Sequence, residues 1–402
     1  MNNLFILFII ISVVQIVYSV NSISINQQIY INNNNNNNNN KHIDIGEEIK
    51  YIIESELFDF ILIKELEKKV FACPCQDESL CQVLQTPPRE EIVGFILDND
   101  MDFYQQYVNW QNLTSVIVPL SNSTNPEIIC LAHQHKVRVH HMVDWPGSWD
   151  LVTQNEWLRQ NLYLVKQFNA DGLNLDFEMP LHSNETELLN IFVQRISKLL
   201  HKMNPYIQLS YDVDLEPPGN LDVQTVGLEL DFWFIMAYDC SWNSNPLGPN
   251  SPLPAVVDGL QYYLQFLHVN PWQLVLGLPW YGYYGQCVQT ESIFNSTCET
   301  PTYKYPMSYS YINIYQILQT DQNSGELWNN QSMTPYVNYQ VGGSIYQVQY
   351  DNPISIFYKV QYAKSQHIRG VGVWRLDFLD QSPNNSTINS MYDSLSSFLH
   401  KD

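Results

Sequence analysis

The chain has 402 residues, and 45% of them are apolar, enough for a large buried core. Aspartate and glutamate outnumber lysine and arginine by 41 to 19, a formal charge of −22, which excludes nucleic-acid binding through a basic face. Such a balance suits an acidic compartment, where carboxylates partly protonate and self-repulsion falls.

Residues 4–20 form a short apolar run at the extreme N-terminus, followed by small polar residues. This reads as a secretory signal cleaved between Ser19 and Ser22. The alternative is a membrane anchor, because 17 residues sit at the lower edge of a span. No later segment is apolar enough to span, so no membrane association is expected after cleavage. Residues 32–40 are an unbroken asparagine tract that cannot build an apolar core. From 43 to 70, Ile49, Ile52, Ile53, Leu57, Phe60, Ile61, Ile63 and Leu66 recur near helical spacing, which predicts an amphipathic helix. Residues 21–70 thus read as a low-complexity tract and a candidate pro-segment, ahead of the main domain at 71–402.

Beyond residue 90, short β-rich runs alternate with helical patterns. Strands are predicted at 92–97, 115–120, 137–143, 172–178, 207–213, 231–238, 274–278 and 371–374. Helices are predicted at 127–135, 155–168, 185–203 and 256–268. Eight strands alternating with helices predict an α/β fold, a (β/α)8 TIM barrel. The runner-up, a doubly wound open sheet, lacks a glycine-rich phosphate loop after any strand. The long gap at about 283–355 is rich in Tyr, Asn and Ser, and predicts a lobe inserted between strands seven and eight.

Seven Asn-x-Ser/Thr sequons, at Asn112, Asn122, Asn184, Asn295, Asn330, Asn384 and Asn385, become glycan sites if the chain is secreted. Seven cysteines in that route allow three disulfides and one free thiol. Cys287 and Cys298 bracket a short loop and make a fair pair. Cys73, Cys75, Cys81 and Cys130 can form two bridges whose partners stay open, and Cys240 is the candidate free thiol. No cysteine–histidine spacing resembles a zinc site, and neither metal nor cofactor is expected.

Residues 171–178, Asp-Gly-Leu-Asn-Leu-Asp-Phe-Glu, carry the strongest chemical signal. Side chains alternate along a strand, so Leu173, Leu175 and Phe177 share one face and Asn174, Asp176 and Glu178 the other. Two carboxylates two residues apart lie about 6–7 Å apart at their Cα atoms, so the carboxyls can touch. They cannot both ionise cheaply, and one pKa should rise. A protonated acid beside an ionised one is equipment for protonating the leaving oxygen of a glycosidic bond.

This octapeptide resembles the signature of the family 18 glycoside hydrolases, the chitinase family. Phe234-Ile235-Met236-Ala237-Tyr238-Asp239 is similar to that family's sixth strand. The Leu276–Gly282 run (Leu-Gly-Leu-Pro-Trp-Tyr-Gly) is similar to its seventh, and Gly370-Val371-Gly372-Val373-Trp374 to its last. Cys73-Pro74-Cys75 with Cys81, Leu327-Trp328 and Tyr350-Asp351-Asn352-Pro353 resemble the lysosomal branch that splits chitobiose. Many members carry a third aspartate where this chain has Asn174, which cannot ionise or share a proton with Asp176.

The resemblance implies Glu178 as general acid and then base. Asp176 would hold the acetamide N–H of the substrate, and Tyr238 its oxygen. Trp374 would form an apolar floor, with Asp239, Met236, Asp144 and Asp212 as further substrate-binding candidates. The loop aromatics Trp145, Trp149, Trp242, Trp280, Tyr281, Tyr283 and Tyr284 are candidates for sugar subsites or for packing the lobe. Asp171 is expected to hydrogen-bond within the barrel rather than touch sugar. The implied activity is exo-hydrolysis of the GlcNAc-β-1,4-GlcNAc linkage of N-glycan-derived oligosaccharides. The implied setting is a monomer in the lysosome, or secreted. An endochitinase and a non-catalytic sugar-binding protein are the alternatives; lectin-like members typically lose the motif glutamate, which is present here as Glu178.

Overall fold

A computed structural model describes residues 45–87, 89–241, 244–299, 307–379 and 386–399. The leader, the asparagine tract, Trp242, Asn384 and Asn385 lie outside them. The chain divides into two compact units: the N-terminal residues to Lys69 with Ser148–Arg159, and Val70–Gly147 with Gln160–Asp402.

In the smaller unit, the predicted amphipathic helix spans Ile45–Lys68. Ser55, Asp59, Leu62, Ile63 and Leu66 are its buried residues, spaced four, three, one and three apart as one helical face requires. Leu57, Phe60 and Ile61, which the apolar spacing grouped with them, are exposed. The Tyr51 hydroxyl donates to Gln154 Oε1 at 2.9 Å, and the Arg159 guanidinium lies 5.1 Å above the Phe58 ring.

The larger unit is built on a closed parallel barrel. Its strands are β1 (Glu91–Phe95), β2 (Ser115–Val118), β3 (Arg138–Asp144), β4 (Gly172–Asp176), β5 (Gln208–Asp214), β6 (Phe232–Met236), β7 (Leu274–Pro279) and, after an insertion, β14 (Gly370–Trp374). They close in the order β1-β14-β7-β6-β5-β4-β3-β2. Helices Glu127–Gln134, Leu151–Phe168, Thr186–Met203, Leu253–Gln261 and Pro353–Ser365 occupy crossovers, as a parallel sheet demands. All eight predicted strands are present, within two residues at each end.

Inward-pointing residues fill the barrel. Val93, Phe95, Ile117, Phe232, Phe234 and Val275 form one cluster, and Met142, Met236, Tyr238 and Trp374 pack on it. Two glycines make room for Phe234. A Cβ at Gly277 would come within 2.3 Å of its ring, and one at Gly372 within 2.5 Å. At the opposite end, Glu91 is buried between Arg138, at 2.9 Å, and Arg369, at 3.4 Å.

The inserted lobe carries a sheet of β8 (Tyr281–Ser292), β9 (Asn295–Glu299), β10 (Met307–Ser310), β11 (Leu327–Asn329), β12 (Thr334–Val341) and β13 (Ser344–Gln349). It runs β10-β8-β13-β12-β11, with β9 paired to β8. Three disulfides are formed, Cys73–Cys81, Cys75–Cys130 and Cys287–Cys298. The last joins β8 to β9, and Cys240 is free.

Candidate active site

β4 ends in the polar row that its alternation predicts. Asn174 is fully buried, Asp176 is half-buried and Glu178, just past the strand, is exposed. The flanking strands place carboxylates alongside. In register, Asp144 of β3 pairs with Asp176 of β4, and Asp214 of β5 with Met236 of β6. A cavity of about 150 Å³ opens at these strand ends, lined by Asp176, Glu178, Asp212, Asp214, Met236, Tyr238, Asp239, Tyr281 and Trp374. A second pocket of about 260 Å³ shares Glu178, Asp212, Asp214 and Met236 with it. Glu178 therefore borders both.

The structure thus gathers Glu178, Asp176, Tyr238, Trp374, Asp239, Met236 and Asp212 around one cavity. Asp144 stands beside it through its register with Asp176. Their depths differ. Asp212 is only 4% exposed, so it lies in the floor rather than at the mouth. Its Oδ1 accepts a 2.7 Å hydrogen bond from Asn174 Nδ2, which also donates to Ser210 Oγ at 3.1 Å. Asp239 has a left-handed backbone, φ 59°, that aspartate tolerates better than most residues. Its Oδ1 accepts the hydroxyls of Tyr281 and Tyr283. Trp374 is half-buried, its ring centroid 5.2 Å from that of Phe95.

Crowded carboxylates in a partly dry site hold their protons. Burial raises the Asp176 carboxyl to about 7, assisted by Glu178 and Asp144 and by a hydrogen bond that it donates to Glu178. Glu178 is also raised, first by burial and then by Asp214, against the hydrogen bond from Asp176. Burial, and then the charge of Asp176, lifts Asp212 well above the usual carboxylate range. Tyr238 is raised by burial and by four surrounding carboxylates, so it stays a hydroxyl donor. No lysine or arginine is among the lining residues.

One residue escaped the sequence reading, and three loop aromatics left open there between subsites and packing fall on the packing side. Asp214 lines the cavity and, after burial, does most to raise the Glu178 carboxyl. The Tyr211-Asp212-Val213-Asp214 alternation, the same period as 174–178, could have identified it. Trp280 is no subsite residue: it is fully buried and packs edge-on against Tyr392 at 5.2 Å. Its backbone N–H continues the barrel edge by donating to Trp374 O at 2.8 Å. Tyr284 stacks on Tyr309, centroids 4.0 Å apart, and Trp145 packs edge-on against Phe177 at 5.4 Å. As expected, Asp171 stays inside the scaffold. It accepts from the backbone of Leu84 (2.7 Å) and Val139 (2.8 Å), and lies 2.8 Å from His133 Nε2.

Residues 148–378 match the profile described as "Glycosyl hydrolases family 18". The chain is 31% identical over 361 residues to "Probable di-N-acetylchitobiase 2" of Dictyostelium discoideum, covering 81% of this chain and 90% of that one. It is 29% identical over 330 residues to the human "Di-N-acetylchitobiase", covering 77% and 84%. Among solved structures, a GH18 chitinase from Cycas revoluta in complex with (GlcNAc)3 superposes with a TM-score of 0.63 at 17% identity, over 77% of this chain and 99% of that one. The match runs across the strands that carry Asp176, Glu178, Tyr238 and Trp374, and with it the chain, a glycoside hydrolase, belongs to family 18 of the glycosyl hydrolases.

Proposed function

We propose that this enzyme hydrolyses the GlcNAc-β-1,4-GlcNAc linkage of N-glycan-derived oligosaccharides, acting from a chain end by a substrate-assisted, retaining route. One observation carries the reading: Asp176 and Glu178 line one cavity together with Tyr238 and Trp374. Both carboxyls rise from one face at the end of one strand, two residues apart, so they do not stand on opposite sides of a sugar ring as an acid and a protein nucleophile must. That supports a nucleophile supplied by the substrate, the oxygen of its own 2-acetamido group. Glu178, bordered by pockets on two sides, protonates the bridging oxygen and later takes a proton from water. Asp176 accepts from the acetamide N–H and stabilises the positive charge of the oxazolinium ion. Tyr238 donates to the acetamide oxygen, which orients it for attack. Trp374 gives the sugar ring an apolar floor. Asp212, held by Asn174, keeps a further carboxyl at the floor of the cavity, where burial and the charge of Asp176 hold its proton.

The small cavity and the chitobiase relatives support short substrates over the long groove of an endochitinase. Three disulfides support an oxidising route through the secretory pathway, and raised carboxyl pKa values support work in an acidic compartment such as the lysosome. Among the described residues, no helix is long and apolar enough to cross a membrane.

Digestion of a free N-glycan and of N-acetylglucosamine oligomers, with each product identified, tests the substrate. Release of a single terminal GlcNAc from the chitobiose core is expected, and random internal cleavage would favour an endochitinase. In the same assay Glu178→Gln should lose at least about 100-fold in turnover, because an amide cannot protonate the leaving oxygen. Activity within tenfold of the parent would remove Glu178 from the role.

A further inference from the structure

The inserted sheet carries a second pocket-forming surface that the hydrolytic reading does not use. Tyr336 and Asn338 of β12 pair with Gln349 and Gln347 of β13, which pair in turn with Tyr283 and Gly285 of β8. These residues share one face of the sheet, the face on which Tyr283 reaches Asp239. Across it lies a pocket of about 390 Å³ that includes Trp328, Tyr336 and Phe294 as rings. Every other lining residue is an asparagine, a glutamine or a serine, and none is charged.

The buried amides form a directed chain. Asn338 Nδ2 donates to the carbonyl of Ile293 at 2.7 Å, so its Oδ1 is the acceptor for Gln347 Nε2 at 2.8 Å. Gln347 Oε1 then accepts from Gln349 Nε2 at 2.8 Å. At the far end Gln349 Nε2 also donates to the carbonyl of Leu247 at 3.1 Å. A carbonyl at each end can only accept, so all three amide orientations are fixed. One group is left over. Gln349 Oε1 is buried without a hydrogen-bond partner among the described residues, in a side chain only 7% exposed, on the wall of this pocket. A buried acceptor left unmade costs about 1–3 kcal/mol, so the site is built for a donor that comes from outside.

We infer that this pocket binds a neutral oligosaccharide. Hydroxyl groups supply the donor that Gln349 Oε1 lacks. Amides that both give and take hydrogen bonds suit a polyol, and Trp328 and Tyr336 offer rings for the apolar face of a sugar. The absence of any charged lining residue argues against phosphorylated or sulfated ligands. The sugar has two sources. One is a free oligosaccharide. The other is a glycan on the chain itself, because Asn330, which begins the Asn330-Gln331-Ser332 sequon, lines the pocket.

The test is calorimetric stoichiometry with the N-acetylglucosamine tetramer and a mannose tetramer, on the full-length Glu178→Gln chain. It is run on chain made with its glycans and on the same chain carrying Asn330→Gln. The mannose tetramer has no 2-acetamido group to attack its own linkage, so its binding is read without turnover whatever the role of Glu178, and this outcome is separable from the hydrolytic reading. Two sites in both preparations assign the pocket to free sugar. A second site that appears only with Asn330→Gln assigns it to the chain's own glycan. In either case Trp328→Ala should weaken the second site at least tenfold and leave the first unchanged. Gln331→Arg, a change at an exposed residue that places charge and bulk in the pocket, should do the same if Trp328→Ala fails to fold. A single site for both probes in both preparations overturns the inference, as does a second site indifferent to both substitutions.

Discussion

At the scale of single residues, the proposed chemistry rests on one proton shared by two carboxyls. In the free enzyme it lies on Asp176, which donates to Glu178 and is raised to about 7. Once an acetamide N–H occupies Asp176, that oxygen must accept, and the proton is displaced toward Glu178, next to the leaving oxygen. The sign follows. The raised group is protonated below about pH 7 and loses its proton as pH rises through that value. kcat/KM should therefore fall above about pH 7, and a rate that is flat or rising from pH 6 to 8 would count against the pair. Because Asp214 is the largest charged contributor to the raised Glu178, Asp214→Asn should move the alkaline limb to lower pH. A pH profile of the variant reads this directly. Tyr238 acts later. Its hydrogen bond strengthens as positive charge builds on the acetamide, so Tyr238→Phe should lower kcat about 10–100-fold with little change in KM. An equal rise in KM would make Tyr238 a plain binding group.

At the scale of elements, strand 172–178 was legible because a strand's period of two puts its apolar and polar residues on opposite faces. The other barrel strands were legible as apolar runs bounded by helical patterns, since parallel strands are covered on both sides. The lobe was legible only as a long insertion. In Tyr346-Gln347-Val348-Gln349 the glutamine face is buried as well, at 6% and 7% exposure, so polarity does not mark the solvent side of these strands. Trp280 stayed open between subsite and packing because sequence does not give the depth of a residue just past a strand end; β8 begins at once and folds the indole against Tyr392. Pairing among Cys73, Cys75, Cys81 and Cys130 was not legible, because spacing does not fix which thiols meet across the fold. The depth of Asp212 was hidden for a related reason: alternation gives the face of a residue and not its level in the barrel. The glycines at 277 and 372 read as part of a family pattern, and the packing supplies their reason. Gly277→Ala would drive a methyl to 2.3 Å from the Phe234 ring. It should destabilise the barrel by about 1–3 kcal/mol, measured as a lowered Tm or denaturant midpoint. An unchanged midpoint would mean that Phe234 has room to move.

At the scale of the molecule, acidity, disulfides and site point the same way. A chain of formal charge −22 repels itself least where carboxylates are partly protonated, and the catalytic pair keeps its proton under the same conditions. The barrel supplies a rigid ring of strand ends, and the lobe supplies Tyr281 and Tyr283 to hold Asp239 at the mouth. The central claim is that Asp176 and Tyr238 grip an acetamide that attacks from within the substrate, while Glu178 serves as acid and base. Proton NMR of the first sugar released from a β-linked N-acetylglucosamine oligomer, recorded before the anomers equilibrate, tests this most directly. The account predicts the β-anomer, and no cleavage of an analogue that lacks the 2-acetamido group. Initial release of the α-anomer would mean inversion, and would contradict it.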